Sequence, residues 1–356
     1  MKGVYFFLRP YRSPEDAGYQ HRSVALAEGL GKLGVPVYSN IDYWKNVEGS
    51  FLFRATPDVR PEDCDVVVAE HVYFDAEKEL PAPFRASGRS YRTVYLDGSD
   101  GWRTAAMGRY GDVDLVLKCH YNRRFAYGSN VRPWAFGLSQ RIIDALAGPG
   151  ARDWGGREPV ILSNFRANHP VRTRANRDFL PLLGDLFRID SSVDSAVPEG
   201  ASDRLLWEQS GRRHYPAFYR RLGGSAACAA FGGYFVPSFS RSLDSLALRV
   251  AYKLMSKARL ATDTVAQFDS WRFWESLAAG CLTFHADLDR YGCEFPVQPE
   301  NGVTYLGIDL SRPRSEADRV RSLAPSFGAI AAEGRRWALE HYSPTAVAQR
   351  FLELAL

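Results

Sequence analysis

The sequence predicts an α/β chain of two Rossmann-like domains facing each other across a cleft, with a C-terminal helix returning to the first domain. Three observations carry this reading. At 356 residues the chain exceeds one typical core and suits two domains of roughly 150–200 residues each. Short apolar runs alternate with stretches of helical periodicity, the pattern of βαβ units on a parallel sheet. That pattern begins twice, on either side of the glycine- and proline-dense segment Ala147–Arg157.

Val4–Leu8 is a continuous apolar run, as in a strand covered on both faces. A polar loop with Pro10, Pro14 and Gly18 follows. Tyr19, Leu26, Leu30 and Leu33 then recur at helical spacing, and Gly34 ends the helix. Val35–Tyr38, Asp65–Ala69, Thr93–Leu96 and Leu115–Leu117 read as further strands. Beyond the glycine-rich segment come a strand at Pro159–Leu162, a helix near Arg172–Leu183 and a strand at Leu186–Ile189. Asp269–Ala279 is helical, closed by Gly280, with Cys281–His285 as the strand behind it. Helices are also expected near Ser242–Lys257 and Ala317–Leu323, and over Arg335–His341 and Pro344–Leu354. The domains are therefore 1–148 and 157–340, each Rossmann-like, with a helix over 341–356 that packs back on the first. Ligands of such folds bind beyond the carboxyl ends of the strands, here between the domains.

Composition narrows the class. Hydrophobic residues at 46% and charged residues at 24% match an ordinary globular protein and exclude a disordered chain. The 45 basic and 41 acidic residues leave a net charge of +4, weaker than the basic bias of a dedicated nucleic-acid binder. Arg212, Arg213, Arg220 and Arg221 form a local cluster, read first as a solvated helix face. The five cysteines are spread without CxxC spacing, so neither a zinc site nor a disulfide framework is expected. Reduced thiols suit a cytoplasmic protein. The apolar run Gly3–Leu8 is far shorter than the ~20 residues needed to cross a bilayer, and no other segment comes near that length.

The chemistry concentrates in Asp269–His285. Arg272 and Glu275 lie three apart, on one face of a helix, where the simplest reading is an i,i+3 salt bridge. A second reading pairs the guanidinium with a diphosphate and the carboxylate with ligand hydroxyls. The segment Arg272-Phe-Trp-Glu-Ser-Leu-Ala-Ala-Gly-Cys-Leu-Thr-Phe284 resembles an element of GT-B glycosyltransferases, particularly exostosin-like and spore-maturation-type enzymes. The resemblance implies that Arg272 approaches the donor's phosphates and that Glu275 contacts its hydroxyls. Ser276 stands where alanine is frequent and is taken with the donor side; Thr283 stands where proline is frequent. Ile161–Arg166 with Arg172 is similar to the strand and loop that open the donor domain, which implies a phosphate role for Arg166. Ser225–Tyr234 resembles the family's small-residue strand and glycine turn. A backbone N–H at Gly233 would there approach a phosphate. The tail His341–Pro344 looks like the start of the returning helix.

The first half should supply the acceptor site and a base. Asp97 and Asp100 follow a strand, in Asp97-Gly-Ser-Asp-Gly101, and a carboxylate there can take a proton from an acceptor hydroxyl. The same residues also favour a plain turn. His21 is a second candidate base, at the start of the first long helix. Lys118, Arg123 and Arg124 follow another strand and either face the diphosphate or lie on the surface. No DxD-type metal motif accompanies the donor segment, so a metal-independent glycosyl transfer is expected, with a nucleoside-diphosphate sugar as co-substrate and no other cofactor. The acceptor is open: a small molecule, a glycan or a modified nucleic-acid base. A nucleotide-sugar epimerase of the same plan, or a protein acting on modified bases, are the alternatives. A nicotinamide or flavin enzyme would need glycines directly after the first strand, where Arg9–Pro14 stands instead.

Overall fold

The computed structural model describes residues 1–10, 13, 19–100, 113–148, 153–164, 169–236, 250–251, 254–255 and 264–356. The expected helix at Ser242–Lys257 falls almost wholly outside these residues. The first domain runs β1 (Val4–Phe7), α1 (His21–Lys32), β2 (Val37–Ser39), β3 (Tyr43–Lys45), β4 (Phe51–Phe53), β5 (Val66–Glu70), α2 (His71–Glu77), β6 (Arg92–Asp97), β7 (Leu115–Lys118) and β8 (Val131–Pro133). Six of its strands form a parallel sheet in the order β2-β1-β5-β6-β7-β8, while β3 and β4 pair as an antiparallel hairpin. All five residues of β5 are buried, as a strand covered by helices on both faces requires.

The chain crosses through α3 (Gln140–Leu146) to the second domain: β9 (Glu158–Leu162), α4 (Pro170–Arg174), β10 (Arg188–Asp190), α5 (Ala201–Gln209), α6 (Pro216–Gly224), β11 (Ser225–Ala229), β12 (Tyr234–Val236), β13 (Thr264–Ala266), α7 (Trp271–Ala278), β14 (Leu282–Ala286), β15 (Leu306–Ile308), α8 (Pro313–Ser322), α9 (Phe327–Tyr342) and α10 (Pro344–Ala355). Its parallel sheet has the order β10-β9-β11-β14-β15. The strand expected at Leu186–Ile189 starts two residues later, and the helix expected at Arg172–Leu183 breaks after Arg174 into a π turn and a 3-10 turn that contains Pro181.

One feature of the expected organisation shifts and one holds. Ala135, Leu138 and Ile142 pack into the core of the second domain, so the crossing begins well before residue 148. Val347, Ala348, Phe351 and Ala355 of α10 join the first domain's core together with Val24, Ala27 and Leu30 of α1. The terminal helix thus returns to the first domain, because the apolar face it carries matches the outer face of α1.

Candidate active site

The carboxyl ends of both sheets meet at the seam. On the first domain, β6 ends on Asp97 and β7 on Lys118, neighbours in register. Both side chains are fully buried, with Lys118 Nζ 3.4 Å from Asp97 Oδ2. Asp97 Oδ1 accepts from the Ser99 backbone N–H at 3.0 Å and from the Ser99 hydroxyl, and Lys118 Nζ donates to the Ser99 carbonyl at 3.2 Å. The Asp97–Ser99 segment is therefore a turn tied down from below. A second cation supports it. Arg22 of α1 pairs with Glu70 at 2.8 Å and reaches His71 Nδ1 at 2.7 Å. A Cβ added at Gly98 would sit 2.0 Å from Arg22 Cζ, so only glycine lets the turn lie on that guanidinium.

Three of the expected site residues are engaged within the fold. Lys118 holds the turn. Asp97 is enclosed by Ser99 and Lys118 and is a poor base, although its Oδ2 has no hydrogen-bond partner. His21 is fully buried: Nδ1 meets the Tyr19 hydroxyl at 3.1 Å, and Nε2 faces the carbonyls of Phe136 and Gly137 at 3.0 and 3.2 Å. Burial pushes its pKa down to about 3, and no lone pair remains for an acceptor. It pins α1 to the crossing segment. Asp100 differs, because its side chain is 74% exposed.

His120, two residues past Lys118, is the group that sequence reasoning missed. It is buried, adopts φ +57°, and its Nδ1 accepts the Asp269 backbone N–H at 3.1 Å. That bond places the ring proton on Nε2. Nε2 is buried without a hydrogen-bond partner, 4.0 Å from Asp100 Oδ1. Burial, with Lys118 and Arg22 nearby, holds the ring well below its ordinary pKa and keeps it neutral. A neutral imidazole with an unused N–H at a strained position offers a donor to a hydroxyl or a phosphate oxygen. A lone histidine after a strand carries no sequence signal of this kind.

On the second domain, α7 begins at Trp271 and presents Arg272 in its first turn. The guanidinium lies 3.8 Å from the Phe218 ring centroid, donates through Nε to the Asn164 carbonyl at 3.2 Å, and pairs through Nη1 with Glu275. Its side chain is 23% exposed, whereas Glu275 is completely buried. Glu275 also accepts from the Tyr219 hydroxyl at 2.9 Å, which in turn accepts from Arg141 at 2.7 Å. The expected contact of Glu275 with donor hydroxyls is thus replaced by a buried network that orients Arg272. The pair is the i,i+3 ion pair of the first reading, and its arginine keeps part of its side chain exposed.

Arg172 joins Arg272. It is buried, donates through Nε to the Phe231 carbonyl at 3.0 Å, and its pKa is pushed down to about 10 by burial and then by the charge of Arg272. Gly233 (φ +88°) would place a Cβ 2.1 Å from the Ala266 carbonyl. Its N–H donates to His169 Nδ1 at 3.0 Å rather than to a phosphate. Ser276 is buried and bonds Thr283 Oγ1 at 2.7 Å, inside the domain. Arg166 lies outside the described residues. Arg123 and Arg124 stitch the domains together through Asp289, Thr264 and the Arg290 carbonyl. Arg221 of the arginine cluster is paired with Asp190 and Asp194. Among the described residues, no three histidine, cysteine, aspartate or glutamate side chains are grouped to hold a metal ion, and no helix is long and apolar enough to cross a membrane.

Two Rossmann-like domains with a returning helix and an interdomain cleft define the GT-B fold. The solved structures with which the chain shares it are glycosyltransferases. It matches AviGT4, a glycosyltransferase involved in avilamycin A biosynthesis, with a TM-score of 0.56 at 14% identity, over 100% of this chain and 97% of that one. It matches an alpha-glucosyltransferase in complex with UDP with a TM-score of 0.55 at 9% identity, over 99% of each chain. An alpha-glucosyltransferase in complex with UDP-glucose and DNA containing an abasic site gives 0.53 at 8% identity, over 99% and 98%. No family model matches the chain, and no curated protein matches it in sequence.

Proposed function

We propose that this protein is a glycosyltransferase that moves a sugar from a nucleoside-diphosphate sugar to an acceptor hydroxyl. The observation that carries the proposal is the Arg272 guanidinium in the first turn of α7, partly exposed and fixed by Glu275 and the Asn164 carbonyl, with the buried Arg172 near enough to feel its charge. Charge builds on the leaving diphosphate as the glycosidic bond breaks, and fixed cations in a water-poor cleft stabilise it. Glu275 and Asn164 fix the direction of Arg272, so little reorganisation accompanies the reaction. The structures of similar fold solved with UDP and UDP-glucose support a uridine nucleotide as the first donor to test.

Across the cleft, His120 donates its Nε2–H to the bound sugar or phosphate, and Asp100 serves as the acceptor-side base. The reaction proceeds without a metal or a further cofactor, in the cytoplasm. The narrower likeness to exostosin-like and spore-maturation-type enzymes rests on the Arg272–Phe284 segment alone.

Thermal unfolding with and without UDP tests the reading. At one hundred times its Kd, a ligand adds about 2.7 kcal/mol of stability. UDP or another nucleoside diphosphate should raise the Tm, with EDTA making no difference. A flat response to every nucleoside diphosphate sinks the proposal.

A further inference from the structure

A pocket apart from the phosphate site opens where the β3–β4 hairpin of the first domain meets α5 of the second. It encloses about 290 Å³, at the small end of ligand pockets and sized for about one ring. Tyr43, Trp44, Phe51 and Leu205 give it apolar walls, and Asp42 and Glu208 bring two carboxylates.

The pocket is built rather than incidental. Trp44 has φ +57°, a left-handed conformation that a bulky residue keeps only where its surroundings enforce it. In that conformation the indole stacks on Tyr19, ring centroids 5.1 Å apart. The backbone of the next residue, Lys45, meets the second domain. Gln209 of α5 accepts from the Lys45 N–H at 2.6 Å and donates to the Lys45 carbonyl at 2.9 Å. One strained residue thus sets a wall that both domains share. Tyr19 also touches Trp271, centroids 5.2 Å apart, and Trp271 immediately precedes Arg272. An aromatic run therefore leads from the pocket to the phosphate side.

We propose that this pocket holds a neutral glycosyl ring of the acceptor, an inference that rests on the glycosyltransferase reading. A sugar ring has apolar C–H faces and a rim of hydroxyls. The aromatic and aliphatic walls cover the faces, and the carboxylates accept charge-assisted hydrogen bonds from the rim. Asp42 and Glu208 line the pocket beside the ammonium of Lys45, and Glu208 pairs with Arg204 at 3.4 Å, so no excess of cations there calls for a phosphorylated or acidic acceptor. Because both domains contribute walls, the pocket is complete only when they are together, which ties acceptor binding to closure.

The test is saturation-transfer NMR on the full chain with UDP present, using p-nitrophenyl glycosides of gluco, galacto, manno and xylo configuration. At least one glycoside should receive saturation, while p-nitrophenyl phosphate should not. Phe51 and Glu208 are about one-third exposed, so their substitution spares the fold. Phe51→Ala and Glu208→Gln should each weaken the apparent Kd of that glycoside by about tenfold, with the UDP-induced rise in Tm unchanged. Silence from every glycoside, equal binding by both variants, or binding of the phosphate as tight as the glycosides each overturns the pocket assignment. Loss of the UDP response in the wild type, with glycoside binding retained, overturns the donor reading and leaves the pocket standing.

Discussion

The two faces of the cleft are built on opposite electrostatic plans. On the first domain, Arg22 is matched by Glu70 and Lys118 by Asp97, all fully buried, so the face neutralises itself and leaves a neutral N–H at His120 and an exposed carboxylate at Asp100. On the second domain, Arg272 pairs with one buried carboxylate, Glu275, which also accepts from Tyr219, and the buried Arg172 lies near enough to feel the charge of Arg272. The contrast shows how one cleft can serve both substrates. A face that pairs its charges one for one is suited to hydroxyls, and a face that gathers two guanidiniums is suited to a diphosphate.

Removing the positive face should have the largest effect. Arg272→Ala is expected to lower kcat/KM about 10³-fold, roughly 4 kcal/mol of transition-state stabilisation. Arg272→Lys should recover part of this, because it restores the charge without the fork. If both variants bind UDP and turn over as the wild type does, the two faces do not differ in function. On the neutral face, Gly98→Ala drives a methyl into the Arg22 guanidinium. Disrupting that buried pair should destabilise the protein by about 3–5 kcal/mol, read as a fall in the urea midpoint. An unchanged midpoint would mean that the turn does not depend on Arg22.

Asp100→Asn sharpens the assignment of the base. It should reduce kcat about 10²-fold with the Tm unchanged, because the side chain is exposed. Asp97→Asn should instead lower the Tm, and the reverse pattern would exchange the two roles.

Acid should act on both faces. Burial lowers the pKa of His21, His71, His120, His214 and His285, to about 3 for His21 and about 4 for His214. Folded values below the unfolded ~6.5 mean stability that is present above that pH and lost as the pH falls toward the folded values. Between its unfolded and folded values, each such histidine contributes a loss of at most about 1.4 kcal/mol per pH unit. Burial raises Asp269 and Glu28 to about 7, which works the other way, with stability gained as the pH falls from 7 toward 4. With His169, also lowered, six rings outweigh two carboxyls, so the urea midpoint should drop between pH 7 and pH 5. A flat profile would mean that these rings reach solvent.

The smallest effect is expected at Ser276. Its hydroxyl bonds Thr283 within the domain. Ser276→Ala should therefore cost about 1 kcal/mol of stability and leave UDP affinity untouched. A weakened UDP complex would return Ser276 to the donor side.

Much of the fold was legible in the sequence because its signals are local. β5, β6 and β7 appear as buried apolar runs, and Gly280 marks the end of α7 with φ +71°. The π turn after Arg174 and the β3–β4 hairpin were not legible, since each depends on packing rather than periodicity. The same divide runs through the site. By itself, the sequence determined that Arg272 and Glu275 share a helical face and that Asp97-Gly-Ser-Asp100 forms a turn, because both follow from the spacing of neighbours along one chain. The tertiary structure alone decided which side chains face the cleft. Glu275 turned inward because Tyr219 meets it there, Lys118 because the turn's carbonyl and carboxylate do, and His120 gained an unused N–H because Asp269 occupies its other nitrogen. Each of those partners lies at least 19 residues away or on a paired strand, and burial rather than sequence spacing chooses between a bond within the fold and one to a substrate.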